Sequence, residues 1–315
     1  ISVVLLNGVL LVAMPACASV NLGRDIMPTM VEVTIFPQEP RQTMEGFGAS
    51  SRVWDDPHVS NAGSTSVPAA AQENVLTLLY TDLGLTRMRP VLDGGVEPIN
   101  DNVDPAAFDW TKFHFEWKRT DAHISLVEQA RAKGMTTFFV SPVTLEAWMT
   151  EDNPDEYVEW ALAIMLRWRD RGVELPYFSI INEPGYKRSG IWSAEWMRTV
   201  VKRLGARMRQ EGFRTMLVIP DDLNPAEAYK RASVVLRDSK ARRYVGALAY
   251  HLYDPKETEL AHDLAHMRNL AAEYGIPIWM TEFSVPNGMT FSGAMEWMKI
   301  IHKLVATYDV SAVDY

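Results

Sequence analysis

Cysteine occurs once in the 315 residues, at position 17, so no intrachain disulfide is available and stability has to come from packing. Lys and Arg never run together for more than two or three residues, and the formal charge is −9. Neither a phosphate-backbone footprint nor an anionic membrane surface is therefore expected as a partner. There is no low-complexity tract and no repeat shorter than a βα unit. The polar stretch 61–66 reads as a loop and not as a linker between domains. Charge is missing altogether from the first eighteen residues, where an apolar block at 3–12 precedes Pro15-Ala16-Cys17-Ala18. That pattern predicts a secretory signal peptide over 1–18, lacking its initiating Met and basic start, in a block too short to span a bilayer. The expected location is secreted or periplasmic. Cys17 is open to two readings, an incidental residue before the cut or the acylated cysteine of a lipoprotein. Met14-Pro15-Ala16 is a poor lipobox and favours the first.

What the chain does have is 47% hydrophobic residues, with 10 Trp, 11 Tyr and 11 Phe, enough for a sizeable core. A period-two stretch at 31–36 reads as a half-exposed strand outside that core, within an N-terminal segment 19–41. From residue 42 onward, helical and strand-like segments alternate. Helices are predicted over 67–82, 120–133, 155–171, 193–210, 224–237, 257–274 and 293–307. The first strand is read around Phe47, with others over 85–92, 136–140, 177–181, 215–219, 245–251 and 276–282, and from 310 onward. Eight strands apolar on both faces and separated by seven helices imply a parallel (β/α)8 barrel over 42–315. A doubly wound open sheet is disfavoured because no glycine-rich phosphate loop follows the first strand. The eighth strand is expected to be incomplete and its helix missing, so the chain reads as a fragment at both ends, poorly behaved alone.

Two of the strands stop on a carboxylate. Ile278-Trp279-Met280-Thr281 runs into Glu282, and Tyr177-Phe178-Ser179-Ile180-Ile181 runs through Asn182 into Glu183-Pro184. An acid at the end of a buried strand is costly without partners or a task, and barrel enzymes place their chemistry at C-terminal strand ends. Two facing carboxyls suit cleavage of an acetal, one protonating the leaving oxygen and the other attacking the anomeric carbon. A paired structural role is the alternative for either acid taken alone. No cluster of His, Cys and Asp at ligand spacing was found, so neither a metal nor a cofactor is expected.

The ordered set Gln42-Thr43-Met44-Glu45-Gly46-Phe47-Gly48, Ser141-Pro142 through Ala147-Trp148-Met149, Asn182-Glu183-Pro184, His251-Leu252-Tyr253 and Trp279-Met280-Thr281-Glu282 resembles glycoside hydrolase family 30. That family belongs to the retaining hydrolases of clan A and includes glucosylceramidase, glucuronoxylanase and β-1,6-glucanase types. The resemblance runs from about residue 31 to the end. It implies Glu183 as acid/base, Glu282 as nucleophile, and Asn182 on the sugar 2-hydroxyl, although a strand-end Asn also caps turns. Tyr253 would donate to Glu282. His251 would line the pocket, or would simply be a satisfied core histidine. One of Arg87 and Arg89, with Arg89 favoured by its spacing from Gly84, would sit beside the nucleophile. Trp148, and more weakly Trp192, would wall a sugar ring. Trp54, Trp110 and Trp117 lie in loops, where stacking on sugar and helix packing both remain open.

The third-strand motif departs from the family at Val143, Leu145, Glu146 and Thr150, which bears on specificity more than on catalysis. The family's side β-sandwich is represented only by 31–36. The implied activity is a secreted, monomeric retaining β-glycoside hydrolase acting on a carbohydrate of xylan or β-1,6-glucan type. A barrel that binds carbohydrate without cutting it is the alternative, and both acids being present weighs against it. A lyase or aldolase would want a Schiff-base Lys or a metal site at a strand end.

Overall fold

The computed structural model describes residues 3–6, 9–12, 34, 36–51, 67–100, 114–186, 190–253, 257–284 and 290–315. The chain divides into two compact units, Ile1–Gln42 and Thr43–Tyr315. In the first, Val3–Leu6 and Val9–Val12 pair as an antiparallel hairpin with Val3 opposite Val12. Most of the strand expected at 31–36 lies outside the described residues, as do Trp54 and Trp110.

The second unit is a closed barrel of eight parallel strands with helices between them. Its strands are β1 (Gly46–Ser50), β2 (Arg87–Arg89), β3 (Thr137–Pro142), β4 (Tyr177–Ser179), β5 (Met216–Asp222), β6 (Val245–Tyr253), β7 (Ile278–Ser284) and β8 (Val310–Asp314). After Pro90 the pair Val91–Leu92 extends β2 along β3. The eighth strand, expected to be cut short, is formed: Ala312 pairs with Gly46 of β1 and Val310 with Ile278 of β7. Helices α1 (Gln72–Leu76, continued to Asp82 by a wider turn), α2 (Lys118–Ala132), α3 (Pro154–Asp170), α4 (Ala194–Gln210), α5 (Pro225–Arg237), α6 (Glu257–Tyr274) and α7 (Phe291–Tyr308) cover it. Among the described residues no helix is long and apolar enough to cross a membrane.

These elements follow from side-chain spacing and caps. In α4, Trp196, Val200, Leu204 and Met208 are all buried at four-residue spacing, one stripe laid on the sheet. Ser193 opens that helix by accepting from the Trp196 N–H, and Asn224 opens α5 by accepting from the Glu227 N–H ahead of Pro225, each filling a donor the first turn leaves open.

Inside the barrel, Phe139, Val218, Ala247, Ala249, Trp279 and Ala312 form a cluster of their own. The small alanines make room for the Trp279 ring, whose centroid lies 5.6 Å from Phe139 and 4.7 Å from Tyr177. The other face of each strand packs outward on the helices, as Tyr250 and Met280 do.

Two irregularities of register set the upper end of this interior. Between β5 and β6, Pro220 pairs with Ala249 but Asp222 with Tyr250, so Asp221 is an extra residue. Between β6 and β7, Met280 pairs with Tyr250 but Glu282 with His251, so Thr281 is extra. Strand side chains alternate faces, so an added residue flips everything beyond it. Without the bulge Glu282 would share the outward face of Met280; with it, Glu282 lies beside inward-facing His251.

Candidate active site

The β4 backbone leaves regular pairing after Ser179, yet Ile180, Ile181 and Asn182 stay buried. Its course is fixed from both sides: the Asn182 N–H donates to the Pro142 carbonyl of β3 at 2.7 Å and the Glu183 N–H to the Asp221 carbonyl of β5 at 2.8 Å. Glu183 is held at φ 49° and Asp221 at φ 57°, a left-handed conformation that non-glycine residues adopt at a cost and that clusters at functional sites. Those two backbones turn both carboxyls inward.

Asp221 is the hub. Fully buried, its Oδ2 accepts from Ser141 Oγ at 2.6 Å, Ser179 Oγ at 3.1 Å and Arg89 Nη2 at 3.2 Å. Its Oδ1 accepts from Thr281 Oγ1 at 2.6 Å and faces His251 Nε2 at 3.3 Å. Burial alone would push this carboxyl up; Arg89 and His251 outweigh it and hold it well below the usual carboxylate range.

Arg89, itself fully buried, spreads its fork over the site. Nη1 donates to Glu282 Oε2 at 2.7 Å, and Nη2 donates to the Asn182 side-chain oxygen and, at 3.3 Å, to Ser141 Oγ. The Tyr253 hydroxyl donates to the other oxygen of Glu282. Glu282 is partly buried, which favours its neutral form, but Arg89 and then His251 lower its pKa and keep it charged. His251 Nδ1 lies 2.8 Å from Glu183 Oε1 and 3.9 Å from Glu282 Oε2. Burial opposes a charge on its ring, whereas the hydrogen bonds to Asp221 and Glu183 favour one and prevail, raising its pKa to about 9. One oxygen of Glu183, one of Glu282 and a ring nitrogen of His251 all lie within 4.8 Å of one another. With a guanidinium on Glu282 and carboxylates against both ring nitrogens of His251, these three are committed to one another and make a poor cation site.

Asn182, Glu183, Glu282, His251, Tyr253 and Arg89 thus meet at one mouth, made from the ends of β2, β4, β6 and β7. Arg87 pairs with Asp314, and of the two arginines it is Arg89 that lies against Glu282. Two aromatic residues have contacts of their own. Trp148 is half-buried, with its indole N–H on the Glu97 carbonyl at 2.8 Å. Trp192 is buried with its ring against Trp196, centroids 4.4 Å apart, so packing and not an open wall is its setting. Trp117 stacks on Phe115 at 4.8 Å beneath Arg167, a helix-packing contact.

Sequence reasoning missed Asp221, Ser179 and Thr281. Asp221 had a usable signal: Leu217-Val218-Ile219-Pro220 running into two acids is the same pattern that exposed Glu183 and Glu282. It also missed a ligand-spaced group on α6, His262, Asp263 and His266, although the i, i+4 histidines are visible in the sequence.

Comparison with models of known protein families returns no match. Among curated proteins, "Putative glucosylceramidase 2" of Caenorhabditis elegans is 25% identical over 268 residues, covering 73% of this chain and 50% of that protein. The chain spans about half the length of the curated relatives it matches. Among solved structures, a glycoside hydrolase family 30 subfamily 8 xylanase from Clostridium acetobutylicum is 20% identical with a TM-score of 0.62, covering 87% of this chain and 64% of that one. An endo-β-1,6-glucanase is 17% identical with a TM-score of 0.68, covering 89% and 67%. The structural likenesses establish the barrel.

Proposed function

We propose that this chain, which resembles glycoside hydrolase family 30 in fold and in the order of its motifs, carries the catalytic barrel of a secreted retaining β-glycoside hydrolase. The observation that carries the reading is the approach of the Glu183 and Glu282 carboxyl oxygens to within 4.8 Å. Retaining glycosidases hold their carboxyls about 5–5.5 Å apart, and inverting ones need roughly 6.5–9.5 Å to seat a water between them.

In this mechanism Glu282, ionised by Arg89 and Tyr253, attacks the anomeric carbon while Glu183 delivers a proton to the departing oxygen. Glu183 then takes a proton from the water that releases the sugar from Glu282. Asn182, its oxygen already held by Arg89, has an amide group to offer the 2-hydroxyl. A xylan or β-1,6-glucan is the substrate class favoured, because structures with higher TM-scores are described as xylanases and a β-1,6-glucanase, ahead of endo-β-1,4-glucanases. Export is supported by the uncharged, apolar opening of the chain.

The test is a pair of substitutions read on two substrates. Glu282→Ala removes turnover of both polysaccharide and aryl glycoside. Glu183→Ala removes turnover of polysaccharide but spares an aryl glycoside whose leaving group needs little protonation. Equal loss on both substrates would count against the assignment of roles, and a product released with inverted anomeric configuration would rule out the glycosyl-enzyme. Binding of xylan or β-1,6-glucan without any hydrolysis would favour a carbohydrate-binding barrel.

A further inference from the structure

On α6, away from the cluster around Asp221, His262 and His266 stand four residues apart, which places both on one face of the helix. Their ring centroids are 4.0 Å apart with the rings inclined at 61°, edge to face and not stacked. Asp263 adds a carboxylate, its Oδ1 3.4 Å from His262 Nδ1. One donor atom from each of the three lies within 4.8 Å of the others. His266 is also steadied from outside the helix, its ring lying at 31° to Tyr229 of α5 with centroids 5.0 Å apart. That contact uses the ring face and leaves the nitrogens for other partners.

We propose that His262, Asp263 and His266 form a surface site for a borderline divalent transition ion, Zn²⁺ in the first instance. Zn²⁺ takes imidazole nitrogens at about 2.0–2.1 Å, so two of them at the tetrahedral angle sit about 3.3 Å apart. Closing from the observed spacing asks only for rotation of side chains, and His262, 75% exposed, is free to make it. Two imidazoles and one carboxylate suit Zn²⁺, Cu²⁺ and Ni²⁺ and discriminate against Mg²⁺ and Ca²⁺, which want a cage of oxygens. Three protein ligands leave the remaining coordination position to water. The ion spans one helical turn, so its binding stabilises the folded chain.

Calorimetric titration of the whole chain with ZnCl₂ is the direct test, with MgCl₂ as the contrast. The expected result is one Zn²⁺ per chain, no Mg²⁺ bound at the same concentration, and a Tm that rises with Zn²⁺. His262→Gln and His266→Gln should each weaken Zn²⁺ at least tenfold. The double variant should bind none and lose the Tm response, while its circular dichroism matches the parent because glutamine keeps a polar side chain at both positions, exposed His262 and partly exposed His266. No binding by the parent chain overturns the proposal. So does parental affinity in the double variant, since the ion would then be held elsewhere.

Discussion

Arg87 and Arg89 leave β2 on the same face, two residues apart, and both are buried, with 1% and 0% of their side chains exposed. Their surroundings differ in kind. Among the described residues Arg87 has Asp314 as its one charged hydrogen-bond partner, Nη2 to Oδ2 at 3.1 Å, with its guanidinium 4.1 Å over the Trp279 ring. Gly48 admits this pair, since a Cβ there would collide with the Asp314 carboxylate and with Arg87. Below that ring, Glu45 accepts from the Trp279 indole at 2.6 Å and from Ser311 Oγ at 2.7 Å. Arg89, one layer up, is shared among Glu282, Asn182, Asp221 and Ser141, and one of its partners, Glu282, is 22% exposed. In the lower layer Arg87 and Asp314 close on each other beneath an aromatic lid. In the upper layer several groups share each charge, and one end lies open to solvent. A buried ion pair is weak evidence for function on its own; a partner that reaches the surface is what distinguishes Arg89 from Arg87.

The largest break in this comparison is expected from Arg89→Met. It removes the charge that keeps Glu282 ionised and leaves Asp221 buried without its guanidinium, so kcat should fall about a thousandfold, some 4 kcal/mol of barrier. Steady-state hydrolysis of an aryl glycoside measures it. Arg89→Lys, which keeps the charge but not the fork, should recover stability more than activity.

Next comes Arg87→Met. Breaking a buried pair from one side costs roughly 3–5 kcal/mol, and replacing both partners restores much of it. Chemical denaturation should therefore show a large loss for Arg87→Met and recovery in Arg87→Met with Asp314→Leu. The kcat of the molecules that remain folded should hardly move. A kcat that fell with stability would erase the distinction between the layers.

How far these layers could be read from sequence differs as well. The alternation of helix and strand that yields the barrel is legible because each segment carries its own period, and both glutamates are legible because acids interrupt apolar runs. The arginines are legible as buried charges, but their assignment is not, because Asp314 and Glu282 are brought to them by long-range closure of the sheet. The bulges at Asp221 and Thr281 are the least legible. A strict period of two puts Glu282 on the same side as Met280, and only the pairing with β6 reveals the extra residue that turns it inward. Asp221 lies past Ile219, where the apolar run stops in the sequence, whereas the strand itself runs to Asp222.

A smaller effect concerns pH. His251 has its pKa raised to about 9 in the folded chain, against an ordinary value near 6.5. Its contribution to stability is thus complete below about pH 6.5 and is lost as pH climbs through about 9, amounting to about 3 kcal/mol at most. Asp221 and Glu282 are shifted down, so their contribution is present above their unfolded values and is lost in acid. Tm should be highest between about pH 4.5 and 6.5 and decline on the alkaline side. His251→Asn should flatten that alkaline decline, whereas Arg87→Met should leave its shape intact, and this separates the upper layer from the lower by titration alone.

The smallest effect compares two serines. Ser141 donates to Asp221 at 2.6 Å in the upper layer, and Ser311 donates to Glu45 at 2.7 Å in the lower. Both are buried, and each hydrogen bond is worth about 1 kcal/mol, so Ser141→Ala and Ser311→Ala should cost similar stability. Their kinetics should part. Ser141 also accepts from Arg89 Nη2, so its loss lets the guanidinium relax from Glu282 and Asn182 and lowers kcat several-fold with KM little changed. Ser311 touches nothing that reaches the mouth, and its variant should keep the parent kcat. Equal kinetics for the two would mean that Arg89 is held by its carboxylate partners alone, and that the hydroxyls around Asp221 serve packing.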